Sequence, residues 1–549
     1  MPVNSTHPDF DANLLAWMRA RDVYAGEDAV KAAGPRYLPR LDCQDDAEYA
    51  AYIQRASFFN ATARTADGFV GLIFRREPAF KLPQDPMRIA DCGLRNGAKQ
   101  DGTARPSLPS GEGRLAAALK TFLNDADMLG TRLSSYAQTL VAEIILVGRA
   151  GTLIDWSGSA TCHYAEERAY VARYKAEDII NWRTSMVNGR QVLSLVVLRE
   201  TVASGKDDGF VAELVEQIRV LRLEPLAPRK GRRGGASRAG QSASPVSEWQ
   251  CVVEIWQSLR SATGGTGKKG WQLIDTRVPL RLGKPLPLIP FVFHGPRHSL
   301  PEVDKIPLAD IIAVNLDHYR LSADYKHGMH FTALPTAWVS GFDKNSSLRI
   351  GSSTAWVAET PGATAGFLEF HGQGLTTFER AMDRDEQLMA VLGTRMLESR
   401  KRVGETAAAI ELRQSGENSI LNTVSLSVSA GLTQVLRWVY WWNSTEPVPD
   451  AIGSDLVLCT LNTDFSVTGM SALEITALVA AWQAGAISQA TMLDLFRAGE
   501  VIAPGRTNDE EIKLLQKQKA EIGKAESASA RAPLPTVPGD VNAEPVVVN

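Results

Sequence analysis

Apolar residues recur three and four positions apart across residues 8–80, first at Leu14, Leu15, Trp17 and Met18, then at Tyr49, Tyr52, Ile53 and Ala56. A repeat near 3.6 puts such positions on one side of a helix, so this region is expected to be helical. Pro35 and Pro39 break the pattern between two helices. A Gly- and Pro-rich loop is expected over 92–112, and a further helix over 115–147 with the apolar run Val141, Ile144, Ile145 and Leu146. Beyond it the period shortens toward strands at 151–156, 192–198 and 251–255. The fold class this implies is α+β.

A proline-rich strand over 285–293 leads to Pro307, a favourable first residue for a helix spanning 308–329. Residues 334–371 are rich in Gly, Ser and Thr and carry short β-like runs at 337–339, 354–358 and 367–370. Helical periodicity returns over 376–398 and over 406–442. The second of these would extend roughly 55 Å at 1.5 Å per residue, with Gly416 and Gly431 as expected bends. A strand-like run at 455–461 precedes helices at 472–482, 488–496 and 509–522. The Ala-, Pro- and Val-rich tail after Gly523 is expected to be disordered.

Composition narrows the function classes. At 549 residues the chain exceeds what one core organises. Its 59 basic and 62 acidic side chains give a net charge of −3, so tight phosphate-neutralising attachment to DNA is not the expected mode. A duplex sliding past a neutral or acidic wall fits better. Residues 226–247 hold five basic side chains and no acid. They read as an exposed, inserted surface loop; a nucleic-acid contact is the alternative, disfavoured because no aromatic is interleaved for base stacking. Five scattered cysteines (Cys43, Cys92, Cys162, Cys251 and Cys459) form no Cys-x-x-Cys pair, which suits a reducing compartment. The amino terminus lacks the basic and apolar regions of a signal peptide, and no apolar run reaches bilayer length. The expectation is a protein neither secreted nor embedded in a membrane.

Catalytic and metal chemistry find little footing. The run 264–270 superficially resembles a phosphate loop, but Ala262 stands at its first glycine position and Lys269 where Ser or Thr is needed for Mg²⁺. It reads instead as a hairpin turn between strands ending near Trp256 and starting near Trp271. There is no Gly-x-Ser-x-Gly elbow. Asp383 and Asp385 face different sides of their helix. His318, His327 and His330 lack a completing ligand set, so a structural role is expected of them. The expectation is a non-enzyme with no metal and no cofactor.

A dense interleaving of aromatic, Arg and Gly positions marks the amino-terminal part: Trp17, Arg21, Asp22, Tyr24, Gly26, Tyr37, Tyr49, Tyr52, Arg55, Phe58, Asn60, Thr62, Arg64, Gly68, Gly71, Arg75 and Arg76. A second block runs from Gly148-Arg149 to Asp155-Trp156 and continues through Tyr174, Asp178, Asn181-Trp182-Arg183 and Leu198-Arg199-Glu200. A weaker third lies at 485–491. Packing a helix stripe accounts for Tyr49, Tyr52, Ala56 and Phe59 alone. The two blocks together, in this order, resemble the portal proteins of tailed bacteriophages, and the resemblance spans most of the chain.

That resemblance implies a portal-type subunit with wing, helical stem, β-containing clip and helical crown, closing into a dodecameric ring at one capsid vertex. It implies a wing over 1–300, a first stem helix over 301–333, a clip over 334–374 and a second stem helix over 375–399. A tunnel loop would follow over 400–406, a long bent wing helix over 407–446, the wing return and crown over 447–522, and the tail over 523–549. The implied function is a channel for packaging and ejecting double-stranded DNA. The implied partners are the large terminase subunit, a head-to-tail adaptor, and the major capsid and scaffolding proteins. The implied location is the virion's portal vertex, with the host cytoplasm during assembly. Another phage head or connector protein is the first alternative and a packaging enzyme the second.

Three groups of residues carry the expected interactions. Asp310, Asp317 and Asp324, seven apart, lie near one helical face; they form either a phosphate-repelling acidic stripe in the channel or a solvated face partly neutralised by Arg320. Arg400, Lys401 and Arg402 form either DNA-facing tunnel-loop cations or a basic helix terminus. Trp338, Phe342, Lys344, Arg349 and Trp356 are the implied docking residues of the clip. The aromatic run Trp438, Tyr440, Trp441 and Trp442 is either core or subunit interface.

Overall fold

The computed structural model describes residues 2–42, 44–83, 111–158, 167–203, 214–226, 249–259, 270–333, 336–342, 361–368, 374–393, 407–446, 448–453, 456–463, 465, 472–499, 501–502 and 508–529. The chain divides into two compact units, Met1–Thr463 and Asp464–Asn549.

The first unit opens with four helices: α1 (Pro8–Ala25), α2 (Glu27–Ala32), α3 (Asp46–Arg55) and α4 (Ala61–Ile73). Local chemistry starts them. Asp45 and Glu48 form a reciprocal capping box on α3, and the Asn60 side chain accepts from the Ala63 amide at the head of α4. Strand β1 (Ala79–Lys81) follows. The single helix expected over 115–147 is two, α5 (Gly111–Asn124) and α6 (Leu133–Val147). Asp127 explains the interruption: its Oδ1 accepts from the amides of Leu129 (2.9 Å) and Thr131 (3.2 Å), offering the backbone a turn in place of helix. Gly148 ends α6 at φ 78°, a left-handed conformation that favours glycine.

The strand region is ordered by simple neighbour pairing. β2 (Ala150–Trp156) and β3 (Ala169–Lys175) form an antiparallel pair. Then β4 (Ile179–Val187), β5 (Arg190–Ala203), β6 (Leu214–Pro225), β7 (Trp249–Leu259) and β8 (Gly270–Arg277) make a five-stranded antiparallel meander. The pairing of β7 with β8 agrees with a hairpin there; the turn itself, like residues 227–248 of the basic insert, lies outside the described residues. β9 (Leu280–Arg281) and β10 (Lys284–Pro285) form a short ribbon, and β11 (Phe291–His294) adds to β2.

Three long elements follow. α7 (Ala309–Ala333) leads into a two-stranded antiparallel ribbon of β12 (Thr336–Ser340) and β13 (Thr364–Leu368), and α8 (Leu375–Leu392) returns along α7. α9 (Ala407–Asn443) spans 37 residues. Its carboxyl-terminal half is core: Val428, Leu432, Val435 and Leu436 are fully enclosed. Trp438, Trp441 and Trp442 are buried within this same chain, Trp442 stacked on Trp156 at 5.6 Å. Burial inside the chain itself thus accounts for these three rings. β14 (Leu458–Thr460) pairs with β1, closing the unit across most of its length in sequence.

The second unit holds α10 (Ala472–Gln483), α11 (Gln489–Ala498) and α12 (Asn508–Ser529). α12 corrects one expectation: helix continues beyond Gly523 into the segment expected to be disordered. The good helix formers Lys524, Ala525 and Glu526 outweigh one glycine. The boundary at 463/464 falls within the span 447–522 expected to hold the wing return and crown, and β14 on its near side is tied to β1. Among the described residues, no helix is long and apolar enough to cross a membrane.

Candidate functional site: a helical pair carrying a β-ribbon

The amino-terminal cluster grips α7. Asn315, fully buried on α7, accepts from the Thr62 amide (3.2 Å) and hydroxyl (2.9 Å), and its Nδ2 donates to the Phe59 carbonyl (2.7 Å). Two turns on, the Ser322 hydroxyl accepts from the Ser57 amide at 3.0 Å, and between them Arg320 Nε donates to the Tyr37 carbonyl at 2.9 Å. Phe58 meets the Tyr319 ring edge-on at 6.0 Å. Phe58 and Thr62 of the cluster thus each have a partner on α7.

The same cluster reaches the second sequence block. Arg21 donates to both Glu143 on α6 (2.8 Å) and Glu177, and Arg173 of β3 approaches Glu143 at 3.3 Å. Burial alone would pull the Arg21 guanidinium down, but its bonds to Glu177 and Glu143 outweigh that and hold it above its ordinary value. Arg149 is the opposite case. Stacked on Trp182 at 4.2 Å and Phe293 at 4.6 Å, it donates to the carbonyls of Pro301 (2.8 Å) and Glu302 (3.2 Å), and burial lowers it to about 9. This buried cation clamps the segment that feeds α7. The motif Gly148-Arg149 was visible in the sequence; its aromatic sandwich was not.

α7 and α8 run antiparallel. Tyr325 OH donates to Glu379 Oε1 at 2.6 Å, and His318 Nε2 lies 3.4 Å from Glu386 Oε1. At the ribbon end of the pair, a Cβ on Gly328 would meet Leu375 at 2.9 Å, so the helices approach closely. The ribbon beyond them is apolar and open. Trp338 opposite Gly366 is 46 % exposed, and Phe367 opposite Ala337 is 54 % exposed. Ala337, Val339, Ala365 and Phe367 share one side of the ribbon, because residues paired across antiparallel strands face the same way.

The expected site residues divide as follows. Asp310 and Asp317 are exposed and pair with Lys305 (3.2 Å) and Arg320 (3.9 Å). Asp324 is half-buried and accepts from Tyr52 of α3, so the three carboxylates do not form one uniform solvent stripe. Burial, then the bond to Asp324, pushes the Tyr52 hydroxyl well above its ordinary value. Trp338 is exposed and Phe342 half-buried; Lys344, Arg349, Trp356, Arg400, Lys401 and Arg402 lie outside the described residues. His318 is buried and His327 packs edge-on against Tyr52 at 5.2 Å. Among the described residues, no group of His, Cys, Asp and Glu side chains is arranged to hold a metal ion. Exposed Phe367 was not singled out beforehand, although it sits in the β-like run at 367–370.

Residues 307–443 match a family described as a domain of unknown function (DUF4055). The match begins just before α7 and ends with the last residue of α9, so it encloses the helical pair, its ribbon and the long helix. No curated protein matches the chain. Among solved structures, one described as the "neck of empty GTA particle computed with C6 symmetry" is 12 % identical, covers 86 % of this chain and 98 % of its own, and superposes with a TM-score of 0.34. A superposition that loose defines neither the fold nor the role of this chain.

Proposed function

We propose that the chain is a portal-type subunit that closes into a dodecameric ring at one capsid vertex and forms a channel for double-stranded DNA. The observation that carries this reading is the succession α7, β-ribbon, α8 and the 37-residue α9, bound through Asn315, Ser322 and Arg320 to the amino-terminal cluster. That succession follows the order of stem, clip, stem and long wing helix that the sequence resemblance implies, which supports the reading, and part of the cluster that carries the resemblance packs against α7.

In this reading α7 and α8 are the stem, Asp310 and Asp317 present acid toward the duplex, and the cations Arg400, Lys401 and Arg402 touch its backbone transiently. Net charge −3 supports passage over tight attachment. The ribbon bearing Trp338 and Phe367 docks the large terminase subunit during packaging and the head-to-tail adaptor afterwards; the outer surface contacts capsid and scaffolding proteins. Heterologous contacts close into a ring when the rotation per subunit divides a full turn. The subunit performs no chemistry: ATP hydrolysis belongs to the terminase.

The test is capture of the purified large terminase subunit on the intact protein. The wild-type protein is expected to retain it and the Trp338→Ser/Phe367→Ser variant to lose it while staying folded. ATP or DNA hydrolysis that survives repurification of the chain alone contradicts the reading.

A further inference from the structure

Between α7 and α8 lies a cluster of ionisable groups that channel formation does not require. Asp385 of α8 is half-buried, and its Oδ2 is enclosed without a hydrogen-bond partner. Across from it on α7 stand Asp317, a second carboxylate, and buried His318, whose Nδ1 is likewise enclosed without a partner. The flanking charges are Arg384 and Glu386 on α8, the latter 3.4 Å from His318 Nε2. From the α4 side, Arg64 sits over the Phe59 ring at 5.5 Å, and that ring lies 6.3 Å from His318. Arg320 approaches the exposed Asp317 at 3.9 Å.

Carboxylates on two packed helices repel when both are ionised, and an enclosed carboxylate oxygen with no donor lacks the hydrogen bonds its charge demands. One proton eases both, because it removes the charge that repels and that burial penalises. We propose that the α7–α8 pair is a pH-sensitive joint, in which Asp385 takes a proton from solvent when the helices are drawn together and releases it when they part.

The direction is set by burial first and by Asp317 second, which both raise the Asp385 carboxyl above its ordinary value; His318 and Arg384 oppose them. For an acid raised in the folded state, the stabilisation is complete below the unfolded value. It is lost as pH rises through the folded one. The joint therefore tightens on mild acidification and loosens toward neutral pH. This rests on the geometry of one subunit and holds whether or not the chain forms a portal.

Hydrogen exchange of the full-length protein, followed peptide by peptide and corrected for intrinsic rates, tests it. Amides of α8 around Asp385 are expected to lose protection several-fold as pH rises from about 4 to 7, within the range reached by perturbed carboxyls. Asp385→Asn, which keeps the shape and supplies a donor, is expected to abolish that loss and hold α8 protected throughout. Asp317→Asn is expected to reduce it. Glu386→Gln, which alters only the contact to His318, is expected to leave it in place. Unchanged pH dependence in Asp385→Asn overturns the proposal, as does equal loss of the dependence in Glu386→Gln, which would assign the effect to His318.

Discussion

α7 and α8 are neighbours of similar length, yet they touch different things. α7 buries Ile311, Ile312, Asn315, Leu316, Tyr319, Ser322 and Ala323 against the body of the first unit, while α8 has Met389 alone as a buried side chain. The outer side of α8 ends in exposed Leu388, Val391 and Leu392, at helical spacing. A single chain gains nothing from such an apolar stripe in water, whereas a stripe covered by another molecule is ordinary. The first helix is thus held by the body of its own unit, and the second keeps an exposed apolar face.

The contrast can be broken most severely at α7. Asn315→Ala removes three hydrogen bonds at a fully buried position and leaves the Phe59 carbonyl and Thr62 hydroxyl without that partner. At ~1–3 kcal/mol per buried group left unsatisfied, the expected loss in a denaturant titration is about 3–5 kcal/mol. Next comes the body beneath α9. A Cβ on Gly431 would stand 2.4 Å from His294 Nδ1, so Gly431→Ala is expected to destabilise by about 1–3 kcal/mol through overpacking, read in the same titration.

His294 also sharpens the comparison through pH. Its Nε2 lies 2.9 Å from the Thr152 hydroxyl, which is 2.7 Å from Tyr136 OH, and burial lowers the imidazole to about 3. A histidine depressed in the folded state contributes stability above its unfolded value, near 6.5, and loses it progressively as pH falls toward the folded one. Thermal midpoints are therefore expected to drop between pH 7 and pH 4.5, and to drop less in His294→Gln. The body weakens in acid while the α7–α8 joint tightens, so local exchange and global melting are expected to move in opposite directions. The smallest effect on the isolated chain belongs to α8: Leu388→Ser with Val391→Ser is expected to change stability by less than about 0.5 kcal/mol per site, yet to abolish self-association in sedimentation.

Much of this was legible in the residue pattern. The spacing of apolar positions located α7, α8 and α9 to within a few residues, because helix periodicity is a local property of the chain. What escaped was non-local. Asp324 shares a helical face with Asp310 and Asp317 by spacing, but Tyr52, far away in sequence, draws it inward. The pairing of Ala79–Lys81 with Leu458–Thr460 joins segments too short to announce themselves. The Asp127 turn was missed for a local reason: side-chain capping of amides two and four residues on leaves no mark on hydrophobic periodicity.

The central claim, that α8 and the ribbon are open because other subunits and docking proteins cover them in a ring, is tested most directly by electron microscopy of the purified full-length protein. Class averages viewed down the symmetry axis are expected to show closed rings of about a dozen subunits, as heterologous contacts of a fixed rotation require, around a hole wide enough for a DNA duplex. A protein that remains monomeric or dimeric at all concentrations, and in the presence of the scaffolding protein, contradicts the account.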